Sequence, residues 1–324
     1  MIGVFSYLVF FLIVALIFAV AVQGLNLQWG FTGLFNAGVV GFMAVGGYVT
    51  AILIGPPREQ VLGGFELPFW LGLIGGMLGA GLAALIVGLA TLRPHHEYLA
   101  IATFGIAISI QLVAVNAEYL TGGTLGLISI PKPLQDWFDS PLSYNLFFLG
   151  LMFLIVAMLY WALQSIVLSP WGRTLKAIRE DEVAAASLGK DTVSIRLQSF
   201  ILGSMLMGLS GGLYVCFIGY ISPTDFDSIV TFQVWTMLIV GGSANNRGAI
   251  VGAVVVWGIW TGSGWLIAKW VPPALQTQSG GLQVVLIGLL LVLSLLYRPR
   301  GLIGEETQVS RYVYSGERSH SNVE

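Results

Sequence analysis

The sequence predicts an all-α polytopic membrane protein with about nine transmembrane helices (eight to ten). Charged residues make up 9% of the 324 residues and hydrophobic residues 56%, whereas soluble proteins carry about 25% charged residues. Apolar runs long enough to cross the hydrocarbon core, which takes about 20 helical residues, recur along the whole chain. The 42 glycines are typical of membrane helices that pack closely through small residues. These observations exclude a soluble globular domain.

Nine apolar runs, separated by polar or Pro/Gly-containing breaks, define the predicted spans. They are residues 4–25, 24–54, 67–92, 98–117, 144–168, 197–221, 228–243, 249–268 and 281–297. The first two meet at the polar, glycine-rich segment 24–48 that opens the second run. Met1–Tyr7 carries no charge, so we expect the first run to be a retained span and not a signal peptide. Residues 228–243 are short for a full crossing, and a tilted or re-entrant helix is the alternative. Residues 1–304 are thus predicted to form one transmembrane domain, and residues 305–324 a disordered cytoplasmic tail.

A charged stretch between the fifth and sixth runs, residues 169–196, interrupts this apolar pattern. Nine of the 30 charged residues (14 basic and 16 acidic) lie between Arg173 and Arg196. Ser169 is suited to cap a helix, Pro170 to its first position and Gly189 to its end. The stretch therefore predicts a short helix outside the bilayer. It either offers a surface to a partner or only connects two spans, and the pattern alone leaves both interpretations open.

The distribution of basic residues predicts the orientation of the chain. If the chain crosses the membrane nine times, five segments lie on the same side: residues 26–33, 92–97, 169–196, 243–248 and 298–324. Eleven of the fourteen basic residues lie in those segments, which leaves Arg58, Lys132 and Lys269 elsewhere. Because cytoplasmic loops carry an excess of Lys and Arg, we expect this side to be the cytoplasm of a bacterial inner membrane. The N-terminus would then lie outside and the C-terminus inside.

The candidates for a translocation path are one glycine and the polar residues at the start of the second run and on the fourth run. They are Asn26, Gln28, Thr32, Asn36, Gly38, Gln111 and Asn116. Polar, glycine-rich backbone at membrane depth is tolerated where it is buried in protein or lines a cavity. The alternative is that these residues only allow tight packing between helices.

The sequence lacks the residue motifs of several functional classes. No span carries a charged residue near its middle, which argues against an ion-coupled carrier. There is no nucleotide-binding loop, no nucleophile–base arrangement and no basic surface for nucleic acid, so we predict neither an enzyme nor a nucleic-acid-binding protein. The single Cys216 and the His95-His96-Glu97 run do not make a metal site, and we predict no cofactor. Energy for transport would have to come from another polypeptide.

A family resemblance agrees with that conclusion. Glu182-Val-Ala-Ala-Ala-Ser-Leu-Gly189 resembles the EAA…G loop in membrane subunits of ABC importers. Its surroundings are similar to the M-type permeases of branched-chain amino acid importers. The other matching segments, in the same order, are Gly24–Tyr48, Gly219–Pro223, Gly241–Gly248 and Tyr297–Leu302. The resemblance covers about residues 20–304.

The resemblance implies that the charged helix is a coupling helix seated in a groove of an ATPase subunit. The implied coupling residues are Arg173, Lys176, Arg179, Glu182, Ala184, Ala185 and Gly189. It also implies a second homologous permease, two cytoplasmic ATPases that bind ATP and magnesium, and an extracytoplasmic binding protein that sets the substrate. The expected solutes are branched-chain and other neutral amino acids. Urea or short amides remain an alternative, as do a self-sufficient channel or carrier and a scaffold without transport.

Overall fold

The computed structural model describes residues 2–58, 61–92, 96–270 and 279–305. The helices are α1 (Ile2–Leu25), α2 (Val39–Ile54), α3 (Phe69–Thr91), α4 (His96–Asn116), α5 (Glu118–Thr121), α6 (Pro141–Leu168), α7 (Pro170–Glu180), α8 (Glu182–Ser187), α9 (Thr192–Ile218), α10 (Ser228–Gly241), α11 (Asn246–Trp270) and α12 (Ser279–Tyr297). A π-helical turn, Asn26–Phe31, continues α1. Over these ranges the only strand-like pairing is an isolated bridge between Leu127 and Ile221. The all-α prediction is confirmed.

Seven of the described helices are long and apolar enough to cross a membrane: α1 with its π-helical turn, α3, α4, α6, α9, α11 and α12. α2 and α10 occupy two further predicted spans but have only 16 and 14 residues. At 1.5 Å per residue α10 is roughly 21 Å long, which is less than the ~30 Å hydrocarbon core. The count of nine full crossings is therefore not confirmed. Residues 306–324 of the predicted tail (305–324) and residues 93–95 of the predicted polar segment 92–97 lie outside the described residues.

α9 is the centre of the bundle, with 17 of its 27 residues buried. It packs against α1, α2 and α3, and glycines on these helices allow the backbones to meet. A Cβ atom on Gly46 would overlap the Gly208 carbonyl, and one on Gly211 would overlap the Met43 carbonyl. Small residues at such crossings permit the close packing that stabilises helices in lipid. In contrast, most side chains of α12 are exposed on the outside of the bundle.

The segments between helices meet at two ends of the molecule. At one end, called here the charged end, residues 26–31, 170–190, 242–248 and 298–305 come together. At the other, called here the distal end, Arg58 donates to the Ile128 carbonyl and the Leu62 amide donates to the Tyr119 carbonyl. The segments that the sequence assigns to one side of the membrane therefore contact one another in the structure. The sequence prediction assigns the charged end to the cytoplasm.

Candidate functional site

The predicted coupling helix is two helices, α7 and α8, and the prediction of one continuous helix is wrong. The break is at Asp181, whose backbone is extended (φ −154°, ψ 104°). Its carboxylate accepts a hydrogen bond from the Ala184 N–H at 2.9 Å and so caps α8. An aspartate that caps a new helix competes with continuation of the old one.

The predicted start and end of this segment are confirmed. Pro170 occupies the first turn of α7, and the Ser169 hydroxyl accepts a hydrogen bond from the Gly172 N–H at 3.4 Å. After α8 the chain turns away at Gly189, whose φ of +77° is unfavourable for residues with a Cβ. The coupling segment, residues 170–189, is therefore bounded by the local signals that the sequence carries.

α7 lies against the membrane-embedded helices along one apolar face. Leu175 and Ile178 are buried, and Leu175 packs with Leu27, Phe31 and Leu163. The ammonium group of Lys176 lies 5.6 Å from the centre of the Phe31 ring. This face anchors α7 against the π-helical turn that continues α1.

α8 offers the exposed part of the segment. Ala184 and Gly189 are exposed, as is Arg173 on α7, whereas Ala185 is buried against the protein. Val183 and Leu188 are 76% and 81% exposed. Sequence reasoning did not single them out, although both stand inside the Glu182–Gly189 motif. Exposed apolar surface in a charged segment is typical of contact surfaces, and a partner at this position remains a prediction.

Two ion pairs inside the chain hold the coupling segment in place. Arg196, only 3% exposed at the foot of α9, pairs with Glu182 at 2.8 Å. Arg179 pairs with Glu305 at 3.0 Å and also donates to the Gly30 carbonyl. The sequence predicts that Arg179 and Glu182 contact a partner, and the structure shows both engaged within this chain. Their visible role is to position α7 and α8.

The C-terminal residues 298–305 form part of the same assembly. The Leu302 and Ile303 N–H groups donate to the Val240 and Gly241 carbonyls at 2.8 and 3.0 Å. Since Glu305 pairs with Arg179, this segment connects the end of α10 to α7. Sequence reasoning missed this role, because the residues lie 126 positions apart.

A buried amide network begins at Asn26. Its Nδ2 donates to Asn246 Oδ1 at 3.0 Å, and its Oδ1 accepts from the Ala244 N–H at 2.8 Å. Asn246 Nδ2 in turn donates to Gln164 Oε1 at 3.1 Å. The network therefore connects α1, α6 and α11 at the charged end.

A second part of the network surrounds Gln28. Its Nε2 donates to the Phe200 carbonyl at 2.8 Å and to Ser204 Oγ at 3.0 Å, and its Oε1 accepts from Asn36 Nδ2 at 2.8 Å. Thr32 Oγ1 lies 2.6 Å from Ser199 Oγ. All of these side chains are buried. In this conformation their polar atoms form hydrogen bonds with other groups of the same chain.

The structure brings together some of the seven translocation-path candidates but not all. Gly38 joins the Gln28 group, because its N–H donates to Asn36 Oδ1 at 2.8 Å. Gln111 and Asn116 lie apart on α4. Gln111 donates to the Pro223 carbonyl at 3.3 Å, and the exposed Asn116 donates to the Leu112 carbonyl of its own helix. Their role in transport remains a prediction.

Replacing Asn26 with alanine is expected to destabilise the protein by about 2 kcal/mol. The substitution leaves the buried Ala244 N–H and one Asn246 oxygen without partners, and such groups cost about 1–3 kcal/mol each. Thermal unfolding in detergent measures the effect. Asn116→Ala is the matched control, since its amide bonds only within α4. An equal melting temperature for both variants would contradict a stabilising network.

Comparisons with known proteins place the chain in a family. Residues 7–295 match the family described as the branched-chain amino acid transport system permease component. The chain is 27% identical to the high-affinity branched-chain amino acid transport system permease protein LivM of Salmonella typhimurium, over 89% of this chain and 68% of that protein.

Two proteins of Methanocaldococcus jannaschii are also similar. A probable branched-chain amino acid transport permease protein LivM of Methanocaldococcus jannaschii is 24% identical, over 87% of this chain and 89% of that protein. The same organism's probable LivH is 27% identical, over 87% of this chain and 86% of that protein. No solved structure matches the chain. The family match spans almost all of the helical bundle, and the chain therefore belongs to the permease component family of branched-chain amino acid transport systems.

Proposed function

We propose that this chain is the transmembrane subunit of an ATP-binding-cassette importer that moves branched-chain and other neutral amino acids across a bacterial inner membrane. The observation that carries the proposal is the coupling segment. It is anchored to the bundle through α7 and presents two exposed apolar side chains, Val183 on α8 and Leu188 directly after it. The family membership and the names of the relatives support the solute class.

The proposed mechanism is alternating access driven from the charged end. ATP binding on two cytoplasmic ATPase subunits, which also hold the magnesium, draws those subunits together and moves α8. The Glu182–Arg196 and Arg179–Glu305 pairs transmit the movement to α9 and to residues 298–305. A second, homologous permease completes the path, and an extracytoplasmic binding protein delivers the amino acid. This chain supplies no catalytic group and no cofactor in the proposal.

Co-purification tests the proposal. The tagged protein is isolated gently from its native membrane, its partners are identified by mass spectrometry, and solute uptake is measured after reconstitution. A homologous permease and a P-loop ATPase are expected, together with ATP-dependent leucine uptake. Uptake of urea or short amides in place of leucine would assign the chain to the alternative class, an importer of urea or short amides. Solute flux by the chain alone, without ATP, would make it a channel or carrier.

Leu188→Glu is expected to weaken ATPase retention by about tenfold or more. Burying a leucine side chain contributes about 1.5–3 kcal/mol, and a buried unpaired carboxylate adds a further penalty. The measurement is the ATPase recovered per permease during co-purification. Leu125→Glu is the matched control, because Leu125 is 84% exposed at the distal end. Equal ATPase recovery with both variants would exclude Leu188 from the contact.

A further inference from the structure

A cavity of about 560 Å³ opens at the distal end, between α1, α2, α9, α10, α11 and α12. Its mouth lies at the turn that precedes α10, and its inner wall reaches Phe18 of α1 and Met43 of α2. Because both residues lie well inside their helices, the cavity extends from the distal end into the bundle. It is separate from the amide network around Asn26 and Gln28.

One polar side chain on the wall of this cavity lacks a hydrogen-bond partner. Gln233 is only 5% exposed and makes no hydrogen bond to any described residue. Its amide atoms are not fully enclosed by protein, so water or a ligand in the cavity can satisfy them. The amide N–H groups of Gln233 can donate to a carboxylate. The indole Nε1 of Trp257 also has no partner in the described part of the chain, but protein atoms enclose it and it does not reach the cavity.

Two acidic residues lie at the mouth of the same cavity. Asp225 accepts hydrogen bonds from the Ser222 N–H at 3.0 Å and from the Tyr220 hydroxyl at 3.3 Å, which fix its position. Burial raises the pKa of Asp225, and these two hydrogen bonds oppose the rise. Asp227 is exposed and its side chain does not cap α10. The mouth therefore offers carboxylate oxygens to a cation.

The remaining wall is apolar and aromatic. The rings of Phe18 and Trp257 lie 5.1 Å apart, and Met43, Val230 and Trp260 complete this side. Such a wall favours an aliphatic group, because burying apolar surface stabilises binding by about 25 cal/mol per Å². A ligand that matches the cavity therefore combines a cation, an anion and a small apolar side chain.

We propose that this cavity is a solute-binding site for a free zwitterionic amino acid with an apolar side chain. The ammonium group lies toward Asp225 and Asp227, the carboxylate meets the Gln233 amide, and the side chain packs on Phe18 and Met43. The proposal rests on the importer function proposed above, and it identifies the residues of this chain that hold the solute.

The spacing along α10 suits such a ligand. Gln233 lies six residues after Asp227, which is a rise of about 9 Å. Helical side chains tilt toward the helix N-terminus, so the Gln233 amide extends back toward the aspartates and shortens this separation. Other ligand classes fit less well. Urea leaves the carboxylates without a cation, a simple anion meets them as like charges, and a lipid tail leaves the Gln233 amide unsatisfied.

Protection from thiol labelling tests the site directly. Val230→Cys places a reactive thiol in the cavity, while the only native cysteine, Cys216, is buried. The complete importer complex in lipid nanodiscs is labelled with a small water-soluble thiol reagent, with and without L-leucine. Leucine is expected to slow labelling about tenfold, and neither its deaminated acid nor its decarboxylated amine should do so. Leu62→Cys, on an exposed distal loop, should label at the same rate in every condition.

Two variants test the named polar groups. Gln233→Leu and Asp227→Asn are each expected to remove the leucine protection and to raise the KM of ATP-driven leucine uptake about tenfold, as for loss of a hydrogen bond with a charged group. Gln135→Leu and Asp136→Asn repeat the same changes on exposed residues at the same end and should leave both readouts unchanged. If Val230→Cys does not fold, the KM values of these four variants are sufficient to test whether the cavity binds the solute.

The outcomes separate the two proposals. If the wild-type complex takes up leucine but leucine never protects Val230→Cys, and Gln233→Leu keeps a normal KM, the site is wrong and the importer function stands. If the wild-type complex hydrolyses ATP but takes up no amino acid, both proposals are overturned. Labelling that depends on the lipid composition but not on leucine would show that a lipid occupies the cavity, and would also overturn the site.

Discussion

Glu182→Lys is expected to abolish ATP-driven uptake, with a decrease of a hundredfold or more, while the protein still inserts into the membrane. Glu182 pairs with Arg196, which is only 3% exposed. Removing one member of a buried ion pair costs about 3–5 kcal/mol, and here a second positive charge is added beside the first. We expect α8 to leave its position at the foot of α9. Uptake per permease, with permease abundance measured by immunoblotting, gives the result.

Two further variants show why uptake is lost. Glu118→Lys makes the same charge reversal on an exposed residue near the distal end and should leave uptake near normal. The double variant Glu182→Lys/Arg196→Glu restores an ion pair of opposite polarity, and we expect partial recovery because Glu182 acts here by positioning α8. Continued loss would instead assign Glu182 a direct contact with the ATPase. Normal uptake by abundant Glu182→Lys protein would contradict any coupling role.

Gly211→Val is expected to destabilise the bundle by about 3 kcal/mol, at the upper end for overpacking. A Cβ atom at position 211 would overlap the Met43 carbonyl of α2. Because the obstacle is backbone, α2 and α9 must move apart to accommodate the side chain. Thermal unfolding followed by size-exclusion chromatography of the detergent-solubilised protein measures the loss.

Gly150→Val is the matched control for this substitution. Gly150 lies in α6, and a Cβ atom there meets no atom within 4 Å. Both variants change helix propensity equally, so their difference in melting temperature reports the crossing of α2 and α9. Equal melting temperatures would show that α2 and α9 are not held together by this contact.

The fold class and the positions of the spans could be predicted because they depend on local composition and on helix length. The boundaries of the coupling segment were predicted for the same reason, since Ser169, Pro170 and Gly189 act on the backbone next to them. The break at Asp181 was missed, although an aspartate is a known capping residue. Among the helix-forming residues around it, a charged side chain is as consistent with a helix interior as with a cap.

Features that depend on contacts between distant helices could not be predicted. The polar residues around Asn26 and Gln28 suggested a path, but several of their hydrogen-bond partners are distant in the chain: Asn246 is 220 positions from Asn26, and Phe200 is 172 positions from Gln28. Gln233 and Trp257 could not be recognised as site residues from the sequence, because single polar and aromatic residues are common in membrane helices. Only the packing of α10 and α11 shows that these two groups share a cavity.

The bond between Asn26 and Asn246 also has a consequence for how the protein is made. The two residues are separated by 220 positions in the chain, and bacterial and eukaryotic ribosomes add roughly 5–20 residues per second. The first helix is therefore complete for roughly 10–40 s before its amide partner is synthesised. During that interval Asn26 needs a temporary polar neighbour, either water at the membrane surface or the insertion machinery. The charged end of the bundle can close only after α11 has been translated.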